Sequence, residues 1–208
     1  MPERDEVEVA DVALCWMLQL DLLAQHLASG NTDLRQARPG PNPQAGNGSV
    51  VKGRGISYLR YNNAITYVAA VAEVEVNKDT GEVRVTRVCA SHDCGEMVNP
   101  DGVANQVEGG VLQTVSRTLM EEVDWDRSKV KSVDWVSYPI MRHTQAPKVE
   151  VTLIDRPGTP QWGAGEPMAC AIPAAIANAV FDATGARMRS LPFTPDKVKA
   201  AMAATRRT

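Results

Sequence analysis

Val71-Ala72-Glu73-Val74-Glu75-Val76 runs into Asn77-Lys78-Asp79-Thr80-Gly81 and out again through Val83, Val85 and Val88. The alternation that ends at Val74 and Val76 predicts a half-buried strand from Tyr67 to Val76. The Asn/Asp/Gly cluster is a turn signal, and the alternating valines beyond it predict a second strand, so the stretch reads as a β-hairpin.

Downstream of the hairpin, Asn99-Pro100-Asp101 is a helix start: asparagine caps, proline takes the first helical position and an acid follows in the first turn. The helix is expected from about Pro100 to Met120. Val149, Val151 and Leu153 alternate with Lys148, Glu150 and Thr152, which predicts another half-buried strand, ended by Arg156-Pro157-Gly158-Thr159-Pro160. A helix is expected from about Pro173 to Thr184, with Ile172, Ile176, Ala179, Val180 and Ala183 on one face and Gly185 as its C′ residue. A last helix begins near Thr194-Pro195-Asp196 and carries Val198 and Met202. Upstream, Asp11–Ala28 reads as a helix with Leu14, Leu18, Leu22, Leu23 and Leu27 on one face. Residues 31–49 shift to Gly, Pro, Asn and Gln, a linker or exposed loop. Strands and helices are interspersed, which predicts an α+β fold. Residues 1–48 are expected to be an N-terminal helix and Gly/Pro-rich linker, and 49–208 one folded unit.

Composition narrows the function classes. The chain has 208 residues, 44% hydrophobic and 23% charged, as expected of a globular chain with a core. A net charge of −3 and 5% aromatic residues offer neither the basic surface nor the stacking platforms that nucleic acid needs. Four cysteines, Cys15, Cys89, Cys94 and Cys170, do not make a disulfide framework. No apolar run approaches the roughly 20 residues of a membrane span. The acidic start Met1-Pro2-Glu3-Arg4-Asp5-Glu6 is unlike a secretory signal, so the expected location is cytoplasmic, or periplasmic if a parent subunit carries a signal.

Three segments can carry chemistry. In Gln161-Trp162-Gly163-Ala164-Gly165-Glu166-Pro167 the backbone is nearly bare, which allows another body to approach closely. Glu166 is held between Gly165 and Pro167 and is the only acid between Asp155 and Asp182. Its neighbours Met168-Ala169-Cys170-Ala171-Ile172 are uncharged, so the carboxylate is expected in apolar surroundings with a raised pKa, as a general base requires. Taken alone, the commoner reading is a Gly-rich turn with a surface or capping glutamate. On a helix, Gln106, Gly109, Gly110 and Gln113 form one stripe, with two carboxamides flanking bare positions. A carboxamide offers donor and acceptor together, which suits a pterin edge; helix packing through the glycines explains the same stripe. Cys89-Ala90-Ser91-His92-Asp93-Cys94 mixes thiol, imidazole and carboxylate, but lacks the Cys-x-x-Cys spacing of zinc sites. It reads as a strand end with small buried cysteines, with a thiol or metal module as the weaker alternative. Gly53-Arg54-Gly55 precedes a strand rather than following one, which makes it a weak dinucleotide fingerprint.

These segments in this order resemble a known family. Val71–Val76, Asp79-Thr80-Gly81, Asp93-Cys94-Gly95 with Val98-Asn99-Pro100, Gln106-Val107-Glu108-Gly109-Gly110, Gly163-Ala164-Gly165-Glu166-Pro167, Ala174–Ala179 and Leu191-Pro192-Phe193-Thr194-Pro195 recur together in the molybdenum hydroxylases. That family comprises xanthine dehydrogenases, aldehyde oxidases and the isoquinoline 1-oxidoreductase and nicotinate dehydrogenase large subunits. The resemblance covers roughly residues 50 to 203.

The resemblance implies an α+β molybdenum-cofactor-binding domain, the C-terminal portion of the large subunit. It implies a molybdenum–molybdopterin cofactor in the cytosine dinucleotide form, and [2Fe-2S] clusters on a partner subunit. Glu166 matches the general base that takes the proton of the molybdenum-bound hydroxyl. Gln106 matches a residue beside the metal and the molybdopterin, and Ala164 and Gly165 match backbone that passes close to it; no residue of this chain is expected to ligate the metal directly. The implied reaction is oxidative hydroxylation of an N-heteroaromatic compound or an aldehyde, with water as the oxygen source. Family large subunits are several times longer and the iron–sulfur cysteines are absent here. The chain is therefore expected to be one piece of a split or truncated subunit, an enzyme only with the remaining part of the molybdenum subunit and an iron–sulfur subunit. The alternative is a non-catalytic domain of the same fold, an assembly or cofactor-insertion partner or a remnant.

Overall fold

The computed structural model describes residues 48–62 and 66–205. The helix expected over Asp11–Ala28 lies outside them, as does the linker as far as residue 47. In chain order the elements are β1 (Val50–Tyr61), β2 (Thr66–Asn77), β3 (Val83–Asp93), α1 (Pro100–Leu119), β4 (Lys148–Leu153), α2 (Pro167–Thr184) and α3 (Pro195–Thr205). The strands form one sheet in the order β1-β2-β3-β4. The first three are antiparallel, and β4 joins β3 in parallel after the crossover through α1.

The expected hairpin is β2–β3, with Val76 opposite Val83. Asn77 Oδ1 accepts the N–H groups of Asp79 (2.9 Å) and Thr80 (3.1 Å), and Gly81 takes φ +80. Asn99 caps α1 as expected, its Oδ1 accepting Gly102 N–H at 3.0 Å.

On one face of the sheet, Val68, Ala70, Ala72, Val74 and Val76 of β2 and Val85, Val88 and Ala90 of β3 are buried. Val107, Val111 and Val115 of α1, Met168, Ile172, Ile176 and Val180 of α2, and Val198 of α3 complete that core. The other face carries ion pairs that cross all four strands: Lys52–Glu75, Arg54–Glu73, Arg87–Glu73, Arg87–Glu150 and Lys148–Glu150. The alternation of apolar and charged residues thus becomes a helix-covered face and a charged face.

Two expectations are corrected. α2 starts at Pro167 rather than Pro173, which lies inside the helix. Pro167 is the proline at the first helical position, where a missing N–H costs nothing. Pro173 forfeits a backbone bond, but Met168, Ala171, Ile172, Ala175 and Ile176 continue one buried stripe across it, and that burial outweighs the loss. Second, Gly53-Arg54-Gly55 lies within β1, not before a strand. A Cβ on Gly53 or Gly55 would collide with the backbone of Ala179 and Ala183, or of Ala175 and Ala179. The glycines let α2 lie directly on the edge strand. There Asp182 Oδ2 accepts Arg54 N–H (2.9 Å), Asn178 Nδ2 donates to Ile56 O (2.9 Å), and Ser57 Oγ donates to Ala171 O (2.6 Å). The helix thereby satisfies an edge that would otherwise template aggregation.

By length and composition α2 could cross a membrane, but half of it is buried inside the domain, as for a core helix. The segment between α1 and β4 is different. Seven of the exposed large apolar residues lie on it: Val123, Trp125, Val130, Val133, Trp135, Val136 and Ile140. It is nevertheless ordered by a Trp125–Val130 bridge, turns closed by Asp126 and by Asp134 with Ser137, and a bond from Met141 N–H to Ser116 Oγ (2.9 Å).

Candidate active site

The sheet register gathers one set of element ends. Tyr61 at the end of β1 pairs with Thr66, Tyr67 pairs with Asp93 at the end of β3, and His92 pairs with Leu153 at the end of β4. The start of α1 follows β3, and the loop leading to α2 follows β4. The Gly-rich loop and the carboxamide stripe therefore meet at that end.

The loop is laced to the Asp93–Met97 turn. Trp162 N–H donates to Cys94 O (2.9 Å), Met97 N–H to Asp155 Oδ1 (3.0 Å) and Gly158 N–H to Glu96 Oε2 (3.0 Å). Asp93 is buried, and Arg156 Nε reaches its two oxygens at 2.8 and 3.0 Å. Arg156 and Arg60 both lie against the Tyr67 ring, at 5.7 and 5.6 Å. Thr66 Oγ1 donates to Gly163 O at 3.3 Å.

The cysteine-containing segment thus holds the loop in place. Cys89 and Asp93 lie on one face of β3 and His92 on the other, so they cannot converge on a metal. Burial pushes the Cys89 thiol up to about 11, so it is not a ready thiolate. Among the described residues no group of three metal-ligating side chains occurs. His92 is fully buried with neither ring nitrogen hydrogen-bonded, and burial lowers it to about 4 against the smaller opposing pull of Asp93.

Gln106 is exposed on α1, and a Cβ on Gly165 would sit 3.4 Å from its Oε1. A Cβ on Gly110 would lie 3.7 Å from Gly165 O. Among the described residues nothing stands within 4 Å of the Cβ positions of Gly109 or Gly163. Gln106, Gly165 and Glu166, with Ala164 beside them, are therefore neighbours around an open, bare-backbone surface. Gln113 lies two turns further along α1.

Glu166 departs from expectation in its surroundings. It is exposed rather than enclosed by apolar side chains. Pro167 and Met168 turn into the core, and Glu166, at the N-cap of α2, turns outward without capping the helix. Tyr61 OH donates a hydrogen bond to its Oε2. That bond is the main reason the Tyr61 phenol is held above its ordinary range. Among the described residues Oε1 has no partner. Sequence reasoning missed Tyr61, which lies 105 positions away and carries no local signal.

An exposed carboxamide, a bare loop and a carboxylate with one free oxygen can bind a flat polar ligand and move a proton at its edge. Known proteins sharpen this. The molybdopterin cofactor-binding domain model matches residues 43–147, half of the chain. A nicotinate dehydrogenase subunit of Pseudomonas putida is 41% identical over 88% of this chain and 16% of its own length. An isoquinoline 1-oxidoreductase subunit of Brevundimonas diminuta is 30% identical over 91% of this chain and 26% of its own length. The solved quinoline 2-oxidoreductase of Pseudomonas putida 86 superposes with a TM-score of 0.62 at 29% identity, over 67% of this chain and 19% of that one. The α+β domain is of the molybdopterin cofactor-binding type. The chain belongs to the molybdopterin cofactor-binding family and corresponds to part of the molybdopterin-binding subunit of xanthine oxidase-type enzymes, spanning about a quarter or less of the relatives it matches.

The residues present fit that cofactor. Among the described residues Gly109 and Gly163 leave open space where a side chain would stand, and the carboxamide of Gln106 is exposed beside Gly165.

Proposed function

We propose that this chain is the portion of a molybdenum hydroxylase that carries the catalytic base, Glu166. Its substrate is an N-heteroaromatic compound or an aldehyde, hydroxylated at an electron-poor carbon with oxygen from water. The observation that carries the reading is the exposed Glu166 carboxylate, tied at Oε2 to Tyr61 and, among the described residues, without a partner at Oε1, beside Gly165 and Gln106. The names of the relatives, which include aldehyde oxidoreductases as well as the heterocycle enzymes, support the substrate class.

When bound, the molybdenum–molybdopterin cofactor, here taken in its cytosine dinucleotide form, accepts two electrons and activates a water-derived oxygen. The chain's own residues do the rest. Gln106 offers its amide N–H and carbonyl to the pterin edge. Ala164 and Gly165 let the ligand reach the backbone without a side-chain barrier. Glu166 Oε1 would accept the proton of the attacking oxygen as the carbon–oxygen bond forms, while the hydrogen and electron pair of the C–H bond it replaces would go to the cofactor as the two-electron acceptor. [2Fe-2S] clusters on a partner subunit would supply the outlet for those electrons.

The apolar segment Val123–Ile140 supports a partner: an ordered, unburied group of tryptophans and valines suits the remaining part of the molybdenum subunit. The same surface is compatible with a second reading, a non-catalytic domain used in assembly or cofactor insertion. Glu166→Gln in the reconstituted complex separates the two. The enzyme reading expects a loss of about a hundred- to ten-thousand-fold with molybdenum retained; an unchanged rate favours the second.

A further inference from the structure

We propose that Tyr61 is the positioning residue of Glu166, setting which carboxylate oxygen faces the reacting atoms. The inference rests on the reading of Glu166 as the base. Glu166 occupies the N-cap of α2, where a carboxylate would ordinarily turn back onto the first free N–H groups. It makes no such bond, and Pro167 supplies no N–H next to it. No lysine or arginine among the described residues pairs with it. Its side chain would be free to rotate but for the phenol of Tyr61, which donates to Oε2.

Tyr61 can do this because its own place is fixed. It is the last residue of β1, paired with Thr66, and Asn62 at φ +50 ends the strand behind it. Ser57 and Asn178 tie the same strand to α2, the helix that begins at Glu166. The donor and the base therefore ride on two elements bonded to each other.

A phenol suits this task better than a cation. Held above its ordinary range, Tyr61 remains an O–H donor wherever the protein is folded near neutrality. It orients the carboxylate without placing a full positive charge against a group that must take up a proton.

The test uses the full chain and then the assembled complex. In the full chain, 13C-labelled tyrosine is titrated by NMR, and the Tyr61 resonance is the one lost in Tyr61→Phe. In Glu166→Gln that resonance is expected to titrate lower, back toward the ordinary phenol range. A Tyr61 titration identical in native chain and Glu166→Gln overturns the contact. In the complex, Tyr61→Phe is expected to lower kcat about tenfold, the scale of one charge-assisted hydrogen bond, with KM within about twofold and molybdenum content unchanged. Native kcat in Tyr61→Phe, where Glu166→Gln is crippled, overturns the positioning role alone. Full activity of Glu166→Gln removes the base reading and the role with it, even where the titration contact persists.

Discussion

Acid should loosen this domain at one identifiable residue. His92 is fully buried on the helix-covered face of β3, and neither ring nitrogen has a hydrogen-bond partner. Burial lowers it from 6.5 to about 4 in the folded chain, Asp93 opposing weakly. In the unfolded chain it titrates near its ordinary value. Between those two values the unfolded state binds a proton that the folded state does not. Stability is therefore intact above about pH 6.5 and is lost as pH falls toward about 4. Two and a half units at roughly 1.36 kcal/mol each give about 3 kcal/mol. With a urea m-value of about 2 kcal/mol/M, the midpoint should drop by about 1.5 M across that window. Carboxylates contribute too, but lower: Arg87 holds Glu150 at about 2, so its share is lost mainly below its ordinary 4.5. The assay is urea unfolding by tryptophan fluorescence at several pH values for the native chain and His92→Leu. The native chain should lose stability relative to His92→Leu as pH falls from 6.5 to 4, because the variant has no proton to take up there. Parallel pH dependences in the two chains would refute the reasoning.

Other residues offer further tests. Gly55→Val should cost about 3 kcal/mol or more in urea unfolding, because its side chain meets helix backbone at Ala175 and Ala179 rather than a movable side chain. Gly109→Ala should do the reverse to stability, raising it by about 0.5–1 kcal/mol in an open helical position, while lowering molybdenum retained by the complex. Arg156→Gln leaves buried Asp93 without its ion pair and should cost about 2 kcal/mol, with faster proteolysis across 155–166. Trp135→Glu on the exposed segment should change the chain's own stability by less than about 0.5 kcal/mol, yet reduce recovery of the complex with the remaining part of the molybdenum subunit.

Local signals made much of the fold legible. The valine alternation around Asn77–Gly81, the Asn99-Pro100-Asp101 cap and Gly185 after α2 each act over a few residues, and the structure realises all three. What failed depended on distant partners. Gly53 and Gly55 make sense only against Ala175, Ala179 and Ala183, so the edge strand could not be recognised from its own residues. The start of α2 is not legible locally because two prolines compete for the first helical position, and only burial of Met168 and Ala171 decides between them. At the site, the sequence marked Gln106, Gly165 and Glu166, and the fold brings them together. It did not reveal Tyr61 or the Asp93–Arg156 clamp, which join residues 105 and 63 positions apart. The expected enclosure of Glu166 rested on uncharged sequence neighbours. Those neighbours enter the core where the helix begins, and the N-cap residue is left pointing outward.

Glu166 is proposed to be the base of a molybdenum hydroxylase. The most direct measurement takes the complex containing this chain, supplies an N-heteroaromatic or aldehyde substrate in 18O-labelled water, and compares native chain with Glu166→Gln at equal molybdenum content. Label is expected in the native product, with a rate lower by about two to four orders of magnitude in the variant. A variant that hydroxylates at the native rate would contradict the claim.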